Sequence, residues 1–356
     1  MRRALIIAVL VALPGQLFAT RRAPPAPLPL ATPLERPPLP PLSPEQRALF
    51  TSVRADPAPE SLVRGSHYWV SNEHSHYLWH PHIRDLGGSY IGVGTDQNYL
   101  LAAWAKSELL VLMDFDQAIA DLHLIYACFF GWSSAPDIFL QRWNRRRQRE
   151  GVELIRRCLQ PISAERGARW ERRLLGHFRR IQSTIFRRLR GTKRQYEGRS
   201  IPTFLSDQGQ YDWIRGLWAG GRVLAIRGDL TATNTMRDLG RVLGELRAPL
   251  NVLYLSNAEQ YFEYRAQFRR NMISQSWGPR SLILRTLGWR VHGYVDEDEG
   301  YHYNLQSGQN MSQWMERSRV LKLGRLLRHK TPLEPAGFSR LQAPPVEGRR
   351  PPEIAP

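Results

Sequence analysis

The chain has 356 residues, 42% of them apolar, and its 50 Lys and Arg against 32 Asp and Glu give a formal charge of +18. That length and apolar content exclude a disordered or fibrous polypeptide and suit one large domain with appendages. Two cysteines, Cys128 and Cys158, exclude a scaffold built on disulfides; a single bond and two buried thiols are equally compatible with them. The basic surplus predicts contact with something anionic, either nucleic acid, a lipid surface or an acidic polymer.

In chain order, Arg2 and Arg3 precede an apolar run from Ala4 to Leu13, and Leu17-Phe-Ala19 ends on a small residue. This is the pattern of an export signal over residues 1–19, and the run is shorter than the roughly 20 residues of a membrane span. A periplasmic or secreted protein is expected, with membrane association as a further option. Residues 20–44 are Pro-rich and predict an extended tether. Ser43-Pro44-Glu45 then opens a short helix and a domain expected over 45–330. Between His67 and His82 aromatics and histidines crowd together. His74 and His76, joined by His80 or His82, could be read as metal ligands; a strand and turn lining one end of a sheet is the alternative. No cysteine or carboxylate cluster at ligand spacing supports the metal, and none is expected.

The stretch from Gly87 to His123 carries the densest chemistry. Ser89–Val93 reads as a strand ending in Gly92-Val-Gly94-Thr-Asp96, Gln97–Lys106 as a helix, and Leu109–Met113 as a second strand ending in Asp114-Phe-Asp116. Glycines admit close approach of backbone to ligand, a helix N-terminus presents unpaired N–H groups, and an acid about 20 residues on can accept hydrogen bonds from a ribose diol. A helix follows over Gln117–Phe130.

From about 137 to 195 the pattern is helical and rich in arginine, from Arg142 to Arg190. This basic insertion is either a solvated face or a surface for anionic lipid or polyanion. It lacks regular aromatic interleaving for base stacking, and export also argues against nucleic acid. Beyond it, Val223–Ile226, Leu250–Leu255 and Ser281–Thr286 read as strands, with Asp229 after the first and Ser256-Asn257-Ala-Glu259-Gln-Tyr261 after the second. Trp289–Val295 and Tyr301–Leu305 are expected to close the sheet as an antiparallel pair, and residues 331–356 to form a Pro- and Arg-rich tail. Apolar strands alternating with helices predict an α/β, Rossmann-like domain: a mostly parallel sheet with helices on both faces and ligands at the strand C-termini.

Over roughly 87–306 this order resembles the class I S-adenosylmethionine-dependent methyltransferases, and the motifs also look like an uncharacterised bacterial family with that core. The resemblance implies S-adenosylmethionine as cofactor. It places Gly92, Gly94, Asp96 and Asn98 at the methionine end, Asp114 on the ribose, Asp229 near the adenine, and Ser256 and Asn257 beside the methyl group. Glu259, Tyr261 or His302 would serve the acceptor. The segment departs from the family where Gln97 or Asn98 replaces the last glycine, in the long insertion, and in the substrate tetrad. Two other readings accompany the transferase: an exported binding protein on the same scaffold, and a glycosyltransferase holding a metal with Asp114 and Asp116.

Overall fold

The computed structural model describes residues 25–31, 34, 37–288, 300–317 and 322–342. The expected export signal, the Trp289–Val295 strand and residues 343–356 therefore lie outside the described residues. No helix among those described is long and apolar enough to cross a membrane.

Eight strands form one sheet, β1 (Ser89–Val93), β2 (Leu109–Asp114), β3 (Val223–Arg227), β4 (Leu250–Ser256), β5 (Trp277–Gly288), β6 (Tyr301–Ser307), β7 (Lys330–Leu333) and β8 (Phe338–Leu341), in the order β3-β2-β1-β4-β5-β6-β8-β7. The first five in that order are parallel, and β6 runs antiparallel to β5. The order 3-2-1-4-5 is that of a doubly wound sheet, and it reverses direction between β1 and β4.

Alternation within the strands sets the two faces. Tyr90, Leu110, Leu112, Val252 and Tyr254 enter one core, whereas Ile91, Leu109, Val111, Met113, Leu253 and Leu255 enter the other. Both faces must then be covered, and helices cover both. They are, in chain order, α1 (Pro44–Thr51), α2 (His80–Ile83), α3 (Gln97–Ala105), α4 (Gln117–Gly131), α5 (Pro136–Arg142), α6 (Gln148–Arg166), α7 (Ala168–Glu197), α8 (Gln208–Ala219), α9 (Thr235–Glu245), α10 (Ala266–Ile273), α11 (Gly308–Met315) and α12 (Leu323–Leu326). The insertion is α5 to α7, whose apolar stripe (Leu174, Phe178, Ile181, Ile185, Leu189) joins the first core. Cys128 on α4 and Cys158 on α6 are bonded, with their Cα atoms 5.8 Å apart, and the bond ties the insertion to the sheet.

Three expectations change. Tyr301–Ser307 pairs with β5 itself, from Gly288↔Tyr301 to Leu282↔Ser307. Residues 330–341 are a β-hairpin that completes the sheet, where a tail was expected from 331. The Pro-rich segment, expected as a tether, is laid on the domain where it is described. Arg142 donates to the Pro29 carbonyl, Arg147 to that of Ala26 and Arg222 to that of Pro40. Proline removes donors but leaves carbonyls, and the arginines satisfy them.

Candidate functional site

The C-terminal tips of β3, β2, β1 and β4 stand in a row. Gly94, just past β1, has φ +87°, and a side chain there would meet Gln97 Nε2 at 2.5 Å. Only glycine makes this turn at no steric cost. Its carbonyl is held by His123 of α4, whose Nε2 lies 2.9 Å away, while Nδ1 is 2.9 Å from the Tyr99 hydroxyl. A carbonyl can only accept, so Nε2 carries the proton and Nδ1 accepts from tyrosine. Burial pushes the His123 pKa down to about 4, which keeps this relay neutral.

Asp114 ends β2 beside that turn. It accepts from the backbone N–H of Asp116 at 2.9 Å, and the Gly94 N–H also faces it. Burial pushes its carboxyl up to about 7, against the lowering effect of those two amides. Two donors leave a carboxylate, with about four lone-pair positions, further accepting capacity. The Gly228 N–H donates to the Asp114 carbonyl at 2.9 Å, which brings the β3 turn alongside. Asp229 in that turn accepts from Thr231 N and Oγ1, each at 2.7 Å. Its own N–H donates to Asp56, a buried carboxylate that also receives the N–H of Asn234.

Other residues expected at the cofactor are spent on the scaffold. Asp96 is buried and ion-paired with Arg188 of α7 at 2.9 Å, and it accepts from Ser71 N at 3.0 Å. Asn98 is buried, accepts from the Tyr90 hydroxyl and donates to the Val93 and Thr95 carbonyls. Gly92 is small for the same packing, since a Cβ there would lie 2.0 Å from Asn98 Oδ1. Asp116 is the N-cap of α4, with one oxygen on Ala118 N and the other 2.6 Å from His67 Nδ1. Of the Gly92, Gly94, Asp96, Asn98 and Asp114 set, Asp96 and Asn98 are engaged through their own side chains by those of other elements and Gly92 packs against Asn98, which leaves Gly94 and Asp114.

At the tip of β4, Ser256 adopts φ +49° and donates through Oγ to Glu73 Oε1 at 2.5 Å; Asn257 follows it at the start of a short 3-10 turn. Glu73 was not anticipated. It is buried and also accepts from Thr286 Oγ1, the Tyr254 hydroxyl and His76 Nε2. Burial alone would raise its pKa, but the bonds from His76, Ser256 and Thr286 bring it below the ordinary carboxylate value. The sequence signal was a lone acid inside an aromatic- and histidine-rich run.

The expected acceptor-side residues do not gather there. Glu259 is buried and ion-paired, with one oxygen on Arg285 Nε and the other on the Tyr264 hydroxyl, each at 2.5 Å, and this burial withdraws it from an acceptor. Tyr261 is 54% exposed in a cleft of about 290 Å³ shared with Phe262, Lys322 and Leu323. His302 is buried at the seam of β6 and β8, with Nε2 2.6 Å from Ser339 Oγ. Nor do the histidines of 67–82 converge: His74 meets Arg188, His76 meets Glu73, His80 packs on Trp104 and His82 on Phe338. No group of three His, Cys, Asp or Glu among the described residues could hold a metal ion.

Fold and geometry together define a Rossmann-like α/β protein with a glycine turn and an acidic strand tip at the C-terminal edge of its parallel strands. The chain belongs to the domain-of-unknown-function family DUF7790, whose profile matches residues 68–342, well over half of its length. No curated protein sequence matches it.

Proposed function

We propose that the chain binds S-adenosylmethionine across the tips of β1, β2 and β3 and transfers a methyl or related group from it to an acceptor. The observation that carries this reading is the pairing of Gly94, in the left-handed region, with the Asp114 carboxylate on the adjoining strand. Such a pair offers close backbone approach for one part of a nucleoside cofactor and an anionic acceptor for its ribose diol. Gly94 and Asp114 would hold the cofactor, Asp229 would flank the adenine, and Ser256 and Asn257 would border the reacting end. The bound cofactor would supply an electrophilic sulfonium carbon; the chain's share is to orient an acceptor in line with it.

Isothermal titration with S-adenosylmethionine and its demethylated product tests the reading. Saturable binding that Asp114→Ala weakens at least tenfold supports it, and no heat at millimolar ligand overturns it.

The Cys128–Cys158 bond favours a second reading. Disulfides persist in oxidising compartments, in line with the expected export, whereas this cofactor is made in the cytoplasm. An exported binding protein on the same scaffold would hold a nucleoside-like ligand without transfer; binding with no consumption of cofactor in the presence of candidate acceptors distinguishes it. The nucleotide-sugar reading of Asp114 and Asp116 is weaker, because Asp116 already caps α4 and meets His67.

A further inference from the structure

The outer face of α7 carries a feature that no part of the cofactor site uses. Over Ala168–Glu197 the helix buries Trp170, Leu174, Phe178, Ile181, Ile185, Leu189 and Tyr196 on one side. On the opposite side Arg169, Arg172, Arg173, Arg179, Arg180, Arg187, Arg190 and Arg194 are all exposed. At 100° per residue these eight fall within a strip about 120° wide, and at 1.5 Å per residue it runs for about 38 Å. The positions between them on the strip are Gly176, Ser183 and Gly191, and a Cβ at either glycine would meet nothing within 4 Å. No acid lies on the strip between Arg169 and Arg194. The acids that do pair with insertion cations reach other residues: Glu171 binds Arg156, Asp121 binds Arg166, Asp96 binds Arg188 and Asp137 binds Lys193.

We propose that this strip docks the protein on an anionic lipid bilayer, with the arginines in the headgroup layer. Three observations select that occupant. Every cation on the strip is arginine, whose planar fork pairs with phosphate in bidentate fashion. The charges run in register along one face of a 30-residue helix, so a planar headgroup layer can meet them together along its length. Single strands are disfavoured because stacking platforms are absent. The exposed large apolar residues among those described are Leu30, Tyr68 and Tyr261, none of them on the strip. That same absence makes the contact electrostatic rather than inserted, and therefore sensitive to salt. His177, on the same helix, lies between Arg173 and Arg180 and faces His67, the partner of Asp116.

The proposal stands independently of any cofactor and is tested without one. The full chain, disulfide intact, is sedimented with vesicles of phosphatidylcholine alone or with roughly one-third phosphatidylglycerol, at about 50 mM and about 500 mM salt. Binding to the anionic vesicles at low salt and release at high salt are expected. Neutral vesicles report any attachment through the apolar N-terminal run. Replacing Arg172, Arg179, Arg187 and Arg190 by Gln should weaken binding by roughly 600-fold, since each basic residue near such a surface contributes about fivefold. Replacing Arg237, Arg241, Arg265 and Arg270, around α9 and α10, removes the same charge elsewhere and should change it little. Equal loss in both variants, equal binding to neutral vesicles, or binding to heparin or duplex DNA but not to vesicles overturns the proposal.

Discussion

Asp114→Asn should make the free protein more stable while destroying the proposed ligand site. The Asp114 carboxyl is raised from an ordinary 3.8 to about 7, chiefly by burial. The folded protein therefore holds a proton there that the unfolded chain has lost, and stability falls as pH rises between those two values. About three pKa units at about 1.4 kcal/mol each set an upper bound near 4 kcal/mol for the cost of the ionised group at pH 8. Asparagine is neutral and its carbonyl can still accept from Asp116 N. Its amide would face the Gly94 N–H donor, which returns about 1–3 kcal/mol of that gain. A net stabilisation of about 1–3 kcal/mol at pH 8, fading towards pH 4, is expected from urea unfolding of wild type and variant. Calorimetry on the same variant should show S-adenosylmethionine affinity reduced at least tenfold. A variant less stable at pH 8 than wild type, by as much as at pH 4, would refute this account of the carboxylate. For wild type the same ionisation predicts that affinity drops about tenfold from pH 8 to pH 6, because only the ionised group accepts two ribose hydroxyls.

Glu73→Ala strands donors from Ser256, Thr286, Tyr254 and His76 at the β4 and β5 tips. A loss of about 3–5 kcal/mol by denaturant unfolding is expected, and under 1 kcal/mol would mean the cluster is slack. Arg188→Ala leaves Asp96 buried without its ion partner and should cost about 3–5 kcal/mol; Arg188→Ala with Asp96→Asn should recover part of it. Reducing the bond between Cys128 and Cys158, 30 residues apart in sequence, or replacing both by Ser, should cost about 3–4 kcal/mol by the loop-entropy relation. An unchanged melting temperature would count against the pairing.

The parallel strands were legible because each is an apolar run whose alternate residues enter different cores, as Tyr90 and Ile91 do. The edge elements were not. Pro332 sits in β7, the outermost strand, where a proline is tolerated, and so the stretch from 331 read as a tail. The β1 turn and the end of β2 were legible down to the left-handed Gly94 and the terminal Asp114. Local pattern cannot say what a side chain meets across the fold, so Asp96, Asn98 and Glu259 were read as ligand-facing. Asp96 is taken by Arg188, 92 residues away, and Glu259 by Arg285, 26 residues away. His123 and Glu73 were missed for the converse reason. His123 stands in an ordinary helical run and Glu73 is marked only as a lone acid among aromatics and histidines; their importance comes from contacts with Gly94 and with two distant strand tips.

The segment from His67 to His76 roofs the strand tips, and its anchors differ in strength along its length. At its far end Glu73 is buried among Ser256, Thr286, Tyr254 and His76, and Ser75 N donates to the Tyr303 hydroxyl. In the middle Ser71 N bonds Asp96, which Arg188 fixes from α7. At the near end, beside Asp114, the tie is His67 to Asp116, and the His67 side chain is 36% exposed. With only its His67 side open to water, this tie has a single partner, against the four donors on Glu73. A ligand reaching Gly94 and Asp114 should therefore enter by lifting the His67 end while the Glu73 end stays closed. His67→Ala removes this tie and the ring contacts to Trp69 and His177, and leaves the Ser71 and Glu73 anchors in place. It should raise the association and dissociation rates of S-adenosylmethionine by about fivefold each, with affinity and melting temperature nearly unchanged. Stopped-flow measurement of both rates is decisive. Unchanged rates would place the entrance elsewhere, and a collapse of stability would make His67 a structural anchor equal to Glu73.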